Sequence, residues 1–356
     1  MKLKVVDLFA GIGGFTLGFH KEGNFNTVFA NDVDLDMVES YKLNFPDVPI
    51  QCSNITNVNF DKIISLNETI DVVVGGPPCQ AYSTSGKRML SDPRGSLFVE
   101  YGKAISKLKP KLFIYENVKG LLSINKGKLI DEIIEMFSDL GYKIDIEVLN
   151  AGNFGVPQER KRVILVGTAK GIEFSYPEKI NKLEIETGDL PSAITLNNAL
   201  SDLPLQTGPK TTYIKHAMND YQSYVRKDSE ILTEHITANH NENLMKIIRA
   251  MPEGGTVKDI PESIRPKSGY GNSYARLWWN KPSTTITRNL GTPSSARCIH
   301  PIADRALSTR EGARLQSFPD SFQFHGSRSK KNLQIGNAIP PLLAFNLAKS
   351  VINSLN

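Results

Sequence analysis

The residues with the most chemical promise are Gly75-Gly76-Pro77-Pro78-Cys79-Gln80. They follow Ile70-Asp71-Val72-Val73-Val74, a short β-branched run that reads as a buried strand. The two prolines offer no N–H to a sheet ladder, so the chain must leave the sheet here and carry Cys79 out on a loop. In an open α/β sheet, loops at the carboxyl ends of strands bind ligands. A thiol placed there is a candidate nucleophile. A small buried hydrophobe is the plainer reading, and the local context leaves both open.

Three further groups could serve the same rim. Glu116-Asn117 follows the apolar run Leu112–Tyr115, so a carboxylate would stand near the thiol as an acid or hydrogen-bond donor, unless it only caps a helix. Gln158-Glu159-Arg160-Lys161-Arg162 precedes the strand pattern Val163–Val166. Those arginines reach the rim only if their strand runs antiparallel to its neighbours; otherwise they are a solvated face. Asp7-Leu8-Phe9-Ala10-Gly11-Ile12-Gly13-Gly14 reads as a strand, a glycine turn and the start of a helix, which lets backbone approach a cofactor. Asp32 lies 21 positions after Gly11, at the end of the next strand, where a carboxylate suits ribose hydroxyls. Thr16 stands where a dinucleotide fingerprint needs glycine, which favours an adenosine-containing cofactor other than a nicotinamide.

The elements that must position these groups alternate. Strands are expected at Leu3–Leu8, Thr27–Asn31, Ile70–Val74, Leu112–Tyr115 and Val163–Val166. Helices are expected from Gly14, at Asp36–Asn44, at Leu97–Leu108 and across Leu129–Phe137. This order predicts an α/β fold with a doubly wound, mostly parallel sheet. From about Phe174 to Asp304 the alternation dissolves into a Pro-, Gly- and Asn-rich stretch, read as a second, smaller, irregular domain. The first domain is therefore expected to span 1–173 plus 306–356, and the second 174–305. A last helix should start at Pro340-Pro341.

Composition sets bounds. The 356 residues are 40% hydrophobic and 22% charged, ordinary for a globular protein with ample core. A net charge of +5 allows a polyanionic partner. Cys52, Cys79 and Cys298 are far apart, which argues against a disulfide framework or a zinc site and fits a reducing compartment. Neither a signal peptide nor a membrane span is expected, and the cytoplasm is the default. Residues 251–300 carry seven Lys/Arg against three acids, with Tyr270, Tyr274, Trp278 and Trp279 among them. That mixture suits phosphate contacts and base-edge hydrogen bonds; a loop-rich domain with some aromatic core is the bland alternative.

Together, in this order, the motifs resemble the C5-cytosine-specific DNA methyltransferase family, in particular methylases of type II restriction–modification systems. Asp7–Gly14 is similar to its S-adenosylmethionine loop, Gly76–Gln80 to its nucleophile loop, Glu116-Asn117-Val118 to its catalytic glutamate motif, and Gln158–Arg162 to its Gln-x-Arg-x-Arg. Asp92–Phe98 resembles a segment beside the cofactor, and Arg310–Pro319 and Gly336–Pro340 resemble the last two motifs.

The resemblance implies a Rossmann-like methyltransferase domain and a target-recognition domain. It implies Cys79, Glu116, Arg162 and Arg160 as catalytic residues, with Cys79 adding to cytosine C6 and no metal. It implies S-adenosyl-L-methionine, leaving as S-adenosyl-L-homocysteine, held by Asp7, Phe9, Ala10, Gly11, Gly13, Gly14, Phe15, Asp32, Val33, Asn54, Ile55, Pro77, Leu97 and Asn337. Asn54 departs from the family, which has an aspartate there; its amide oxygen can accept but carries no charge. For DNA the resemblance implies Gln80, Ser83 and Ser85 on a closing loop, and Thr285, Arg276, Arg288 and Arg297 in the recognition region. The partner is double-stranded DNA, from which one cytosine is flipped, and a cognate restriction endonuclease would be a genetic partner. The Tyr274–Arg297 stretch resembles regions reading GGNCC or GGWCC sites. A monomer is expected. A family branch acting on transfer RNA shares the catalytic residues; the long basic region favours duplex DNA. A nicotinamide-dependent oxidoreductase and a catalytically silent DNA-binding module fit these residues less well.

Overall fold

The computed structural model describes residues 2–78, 97–209, 211–267, 269 and 271–355. The chain divides into two compact units. The first comprises Met1–Asn150, Lys161–Glu178 and Leu343–Asn356; the second comprises Ala151–Arg160 and Lys179–Leu342.

The first unit is built on seven strands: β1 (Leu3–Leu8), β2 (Phe25–Asp32), β3 (Ile50–Cys52), β4 (Val72–Gly75), β5 (Leu112–Val118), β6 (Lys143–Asn150) and β7 (Lys161–Thr168). They are ordered β3-β2-β1-β4-β5-β7-β6. β1 through β5 pair in parallel, whereas β7 runs antiparallel to both β5 and β6. This meets the geometric condition the sequence imposes on Arg162. The strand order reverses between β1 and β4, whose carboxyl ends lie side by side with Asp7 opposite Val74 and Leu8 opposite Gly75. Such a switch point opens a ligand crevice. The mostly parallel α/β sheet is as expected.

Helices α1 (Gly14–Glu22), α2 (Leu35–Asn44), α3 (Phe60–Asn67), α4 (Leu97–Leu108) and α5 (Lys128–Asp139) complete this unit, joined by most of α11 (Pro341–Leu355). Interior strands are apolar on both faces, and Val72–Val74 and Val163–Val166 are fully buried. Tyr101 of α4, Phe113 and Tyr115 of β5, and Phe137 of α5 pack in edge-on and tilted pairs within a large apolar cluster. Two expected boundaries shift. β5 continues past Tyr115 through Val118, so Glu116 and Asn117 lie within the strand rather than after it. Likewise Lys161 and Arg162 open β7 rather than precede it.

The second unit holds α6 (Leu196–Leu200), α7 (Asp220–Arg226), α8 (Glu242–Ala250), α9 (Thr309–Leu315) and α10 (Arg328–Asn337). Among its described residues there are isolated β-bridges but no strand ladder. Buried arginines take the ladder's place. Arg310 donates to the carbonyls of Thr233, Pro319 and Phe322 at 3.0 Å each. Arg314 pairs with Asp202 and Asp320, each at 2.6 Å, and donates to the Ala199 carbonyl at 2.8 Å. Residues 306–342, expected in the first domain, belong to this unit, and so do residues 151–160.

The stretch Arg328–Leu355 is long and apolar enough by composition to cross a membrane. It is two helices, α10 and α11, and 67% of its apolar window is buried inside the protein.

Candidate active site

The first unit's site forms where β4 and β5 end and β7 begins on one rim. Antiparallel pairing sets Val118 of β5 opposite Arg162 of β7. From there Arg162 Nε lies 2.8 Å from Glu116 Oε1 in an ion pair, with both side chains mostly buried at 11% and 14% exposure. A second Arg162 nitrogen donates to the Lys161 carbonyl at 2.8 Å, which fixes the guanidinium's orientation. Glu116 Oε2 lies over Gly76: a methyl group built on that glycine would stand 2.9 Å from the carboxylate oxygen. Only a residue without Cβ lets the β4 loop pass so close. Asn117 donates from Nδ2 to the Pro77 carbonyl at 3.0 Å, tying the loop to β5. The carboxylate is thus held over the chain three residues before Cys79. Cys79 itself, with Gln80, Ser83, Ser85 and the Asp92–Ser96 segment, lies outside the described residues.

Beside it, at the β1/β4 switch point, the glycine turn fits an adenosine-containing cofactor. Gly13 has φ +88°, and a Cβ there would lie 2.4 Å from the Phe45 ring, so glycine is required. Phe9 is held at φ +55°, a conformation that costs a non-glycine residue on the order of 1–3 kcal/mol. Asp32 ends β2 and accepts from the Gly11 amide at 2.8 Å and from the Asp34 amide at 2.9 Å, leaving lone pairs for two hydroxyls. Next to it Val33 is 69% exposed, an apolar surface at the crevice mouth. These features match the binding of a ribose and a flat base.

Three of the expected cofactor residues have buried side chains. Phe15 and Ile55 are buried in packing, the latter in the apolar cluster around Tyr101 and Phe137. Asp7 is wholly buried: its Oδ2 accepts from Thr16 Oγ1 at 2.7 Å, and Thr16 lies 2.8 Å from the Tyr41 hydroxyl. Burial pushes the Asp7 pKa up to about 7 against the Thr16 hydrogen bond. Its Oδ1 is buried with no hydrogen-bond partner, as fits a protonated carboxyl. Asn54 is exposed, and its Oδ1 accepts from the Thr56 amide and hydroxyl at 3.1 Å each, capping a short turn. Leu97 begins α4, partly buried against the same cluster. Asn337 is the exposed last residue of α10 in the second unit.

In the second unit three of the expected arginines are engaged with the frame. Arg160, 1% exposed, donates to the carbonyls of Ile286, Gly336 and Ala338 at 3.0 Å each, so its head is spent on the frame and not on a reacting base. Arg276, 4% exposed, donates to the carbonyls of Met251, His300, Ala303 and Ile248 and to Asp304. Arg297 donates to the carbonyls of Gly254 and Arg276 and stacks on Trp278, with its guanidinium 4.3 Å from the ring centre. Thr285 is exposed but gives its hydroxyl to the Glu159 carbonyl at 2.9 Å. Arg288 is exposed.

A family model for the C-5 cytosine-specific DNA methylase matches residues 3–353. The chain belongs to that family. Among its relatives, the Type II methyltransferase M1.HphI of Haemophilus parahaemolyticus is 35% identical over 99% of this chain and 87% of its own length. M.DdeI of Desulfomicrobium norvegicum is also 35% identical, over 98% of this chain and 88% of its own. The fold is similar to that of a candidate DNA modification methyltransferase encoded within an E. coli prophage, with a TM-score of 0.80 at 24% identity and complete coverage of both chains.

For a methylase of this family the structure also adds residues that the sequence motifs did not single out. Thr16, noticed only for breaking a glycine pattern, bridges Asp7 and Tyr41 beneath the cofactor turn. Asn117, beside Glu116, ties Pro77 after β4 to β5. Tyr41 gave no sequence signal beyond its place in a helix. Among the described residues no group of three or more His, Cys, Asp or Glu could hold a metal ion.

Proposed function

We propose that this methylase transfers a methyl group to C5 of a cytosine flipped out of duplex DNA at one short site, as the modification enzyme of a restriction–modification system. The observation that carries this reading is the Glu116–Arg162 pair at 2.8 Å, set over Gly76 on the rim from which the Cys79 loop departs. Relatives named Type II methyltransferases support the DNA substrate and the restriction–modification setting.

Cytosine C5 is weakly nucleophilic, so the enzyme's residues must load electron density onto it. The Cys79 thiolate adds to C6, while Glu116 donates a hydrogen bond or proton at N3 and Arg162 donates to O2. C5 becomes an enamine carbon and takes the methyl group; a base then removes the C5 proton, and the C6–S bond breaks to release the thiolate. Arg162 does double service. It fixes the Glu116 rotamer, and its charge favours the thiolate on the neighbouring loop. Asp32 would hold the ribose hydroxyls, Val33 and Phe9 would face the base, and the backbone at Ala10, Gly11, Gly13 and Gly14 would line the methionyl part. Bound there, S-adenosylmethionine supplies the electrophilic methyl group. The second unit, with the region 174–305 at its centre, would read the site.

The test is transfer of a radiolabelled methyl group from S-adenosylmethionine to plasmid DNA, with purified tRNA as competitor. Wild type should label plasmid and ignore tRNA. Cys79→Ser should abolish labelling while cofactor binding persists, and a variant keeping about a tenth of the wild-type rate would exclude the covalent route, given the roughly 10²-fold or greater effects expected of a lost catalytic group. Labelling of tRNA in preference to plasmid would move the enzyme to the RNA branch.

A further inference from the structure

A second feature of the methylase, separate from the rim, is a pocket of about 330 Å³ within the second unit, between the 288–292 loop and the first turns of α10. Arg288, Arg328 and Lys330 line it with Asn289, Thr292 and Asn332, and no acidic residue does. The second unit's other arginines, buried or exposed, are spent on carbonyls or carboxylates. Arg288 and Arg328 are the exceptions: among the described residues neither guanidinium has a hydrogen-bond or ion-pair partner.

The donors converge. A methyl group built on Gly291, in the pocket wall, would meet Asn332 Nδ2 at 3.0 Å and Arg328 Nη1 at 3.4 Å. Asn332 is only 6% exposed, and its Oδ1 accepts from Thr309 Oγ1 at 3.0 Å. That bond fixes the amide so that Nδ2 faces Gly291 and the pocket, where no described residue accepts from it. A nearly buried amide donor that no described residue accepts from, beside two unpaired guanidinia, has the chemistry of an oxyanion site.

We propose that this pocket binds a phosphate oxyanion, and that its physiological source is one backbone phosphate of the target DNA. Arg328 and Arg288 would grip the phosphate and Asn332 would orient it. The source, though not the anion chemistry, rests on the DNA methylase reading above. Such a contact positions the protein on the duplex and carries no sequence information.

The experiment measures binding of the full-length chain to a duplex bearing its methylated site across a series of KCl concentrations. Wild type is measured first; no duplex binding there would count against the methylase reading itself. Arg328→Gln and Arg288→Gln should each weaken binding and lower the slope of log affinity on log salt by about 0.9, the effect of one phosphate lost. Cofactor binding and the melting temperature should stay at wild-type values. Gly291→Ala, which changes no charge but fills the space between the donors, should weaken binding as well. Unchanged slopes with stabilisation of wild type, but not Arg328→Gln, by inorganic phosphate would assign the same pocket to a free phosphate. Unchanged slopes without any phosphate effect would overturn the proposal.

Discussion

In the first unit Arg162 points one nitrogen at a single carboxylate on an open rim, whereas in the second unit Arg160, Arg276, Arg310 and Arg314 are buried among main-chain carbonyls and acids. The difference follows from what surrounds them. The first unit satisfies its backbone through a seven-stranded sheet, so an arginine at a strand end is left for chemistry. The second unit has little regular structure among its described residues, yet its interior carbonyls still need donors. Arginine supplies five donors in one side chain and keeps its charge when buried. The same residue type therefore stands on the proposed catalytic rim in one place and replaces a ladder in another.

The sharpest way to break this contrast is to remove an arginine from each side. Arg314→Ala leaves Asp202 and Asp320 buried without their partner, and breaking such a pair costs about 3–5 kcal/mol. Urea unfolding followed by circular dichroism should show that loss, and an unchanged midpoint would contradict a structural role. On the rim, Glu116→Gln should lower the methyl-transfer rate by roughly 10²–10⁴. Its melting temperature should stay near wild type, because glutamine has the same shape and keeps an acceptor oxygen facing Arg162. A variant that unfolds instead would make Glu116 a framework residue like those of the second unit.

The two units also respond oppositely to pH. Asp7 in the first unit has its pKa raised by burial to about 7 from 3.8, so the native state keeps a proton that the unfolded chain releases. The stability this confers is complete below about pH 4 and is lost as pH rises to about 7, on the order of 4 kcal/mol. His300 in the second unit has its pKa lowered by burial from 6.5 to about 4, even with Glu311 nearby, and its Nδ1 accepts from the amides of Ile302 and Ala303. Its contribution is complete above pH 6.5 and is lost as pH falls toward 4, on the order of 3 kcal/mol. Asp7→Asn should therefore stabilise the protein at pH 8 relative to pH 5, and His300→Gln should remove the acid-side loss. Denaturant midpoints from pH 4 to 8 would check both; parallel profiles for the two variants would refute the assignment.

The smallest effect separates buried from exposed arginines within one sequence stretch. Arg276→Gln should lower the melting temperature, whereas Arg288→Gln should change the unfolding free energy by no more than about 0.5 kcal/mol, as surface changes do. Differential scanning calorimetry would distinguish them.

Much of the first unit is legible in the sequence because its strands are fully buried and read as continuous apolar runs: Leu3–Leu8 is β1 as expected, and Leu97–Leu108 is α4 as expected. β3 escapes because three residues show no period, and β6 because an edge strand with mixed exposure lacks a continuous apolar run. At the site, Glu116 and Arg162 are legible once β7 is required to be antiparallel. Arg276 and Arg297 mislead because a charged residue in a polar, basic stretch signals surface. Nothing in the one-dimensional pattern tells which carbonyls a loop will bury. Thr16 was visible, but only as an exception to a motif.

Bisulfite sequencing of plasmid DNA from cells expressing the wild-type chain or Glu116→Gln tests the central claim most directly. The account predicts protected cytosines at one short recurring site with wild type and almost none with Glu116→Gln at equal protein level. Unprotected plasmid with folded wild-type protein, or undiminished protection by Glu116→Gln, would contradict it.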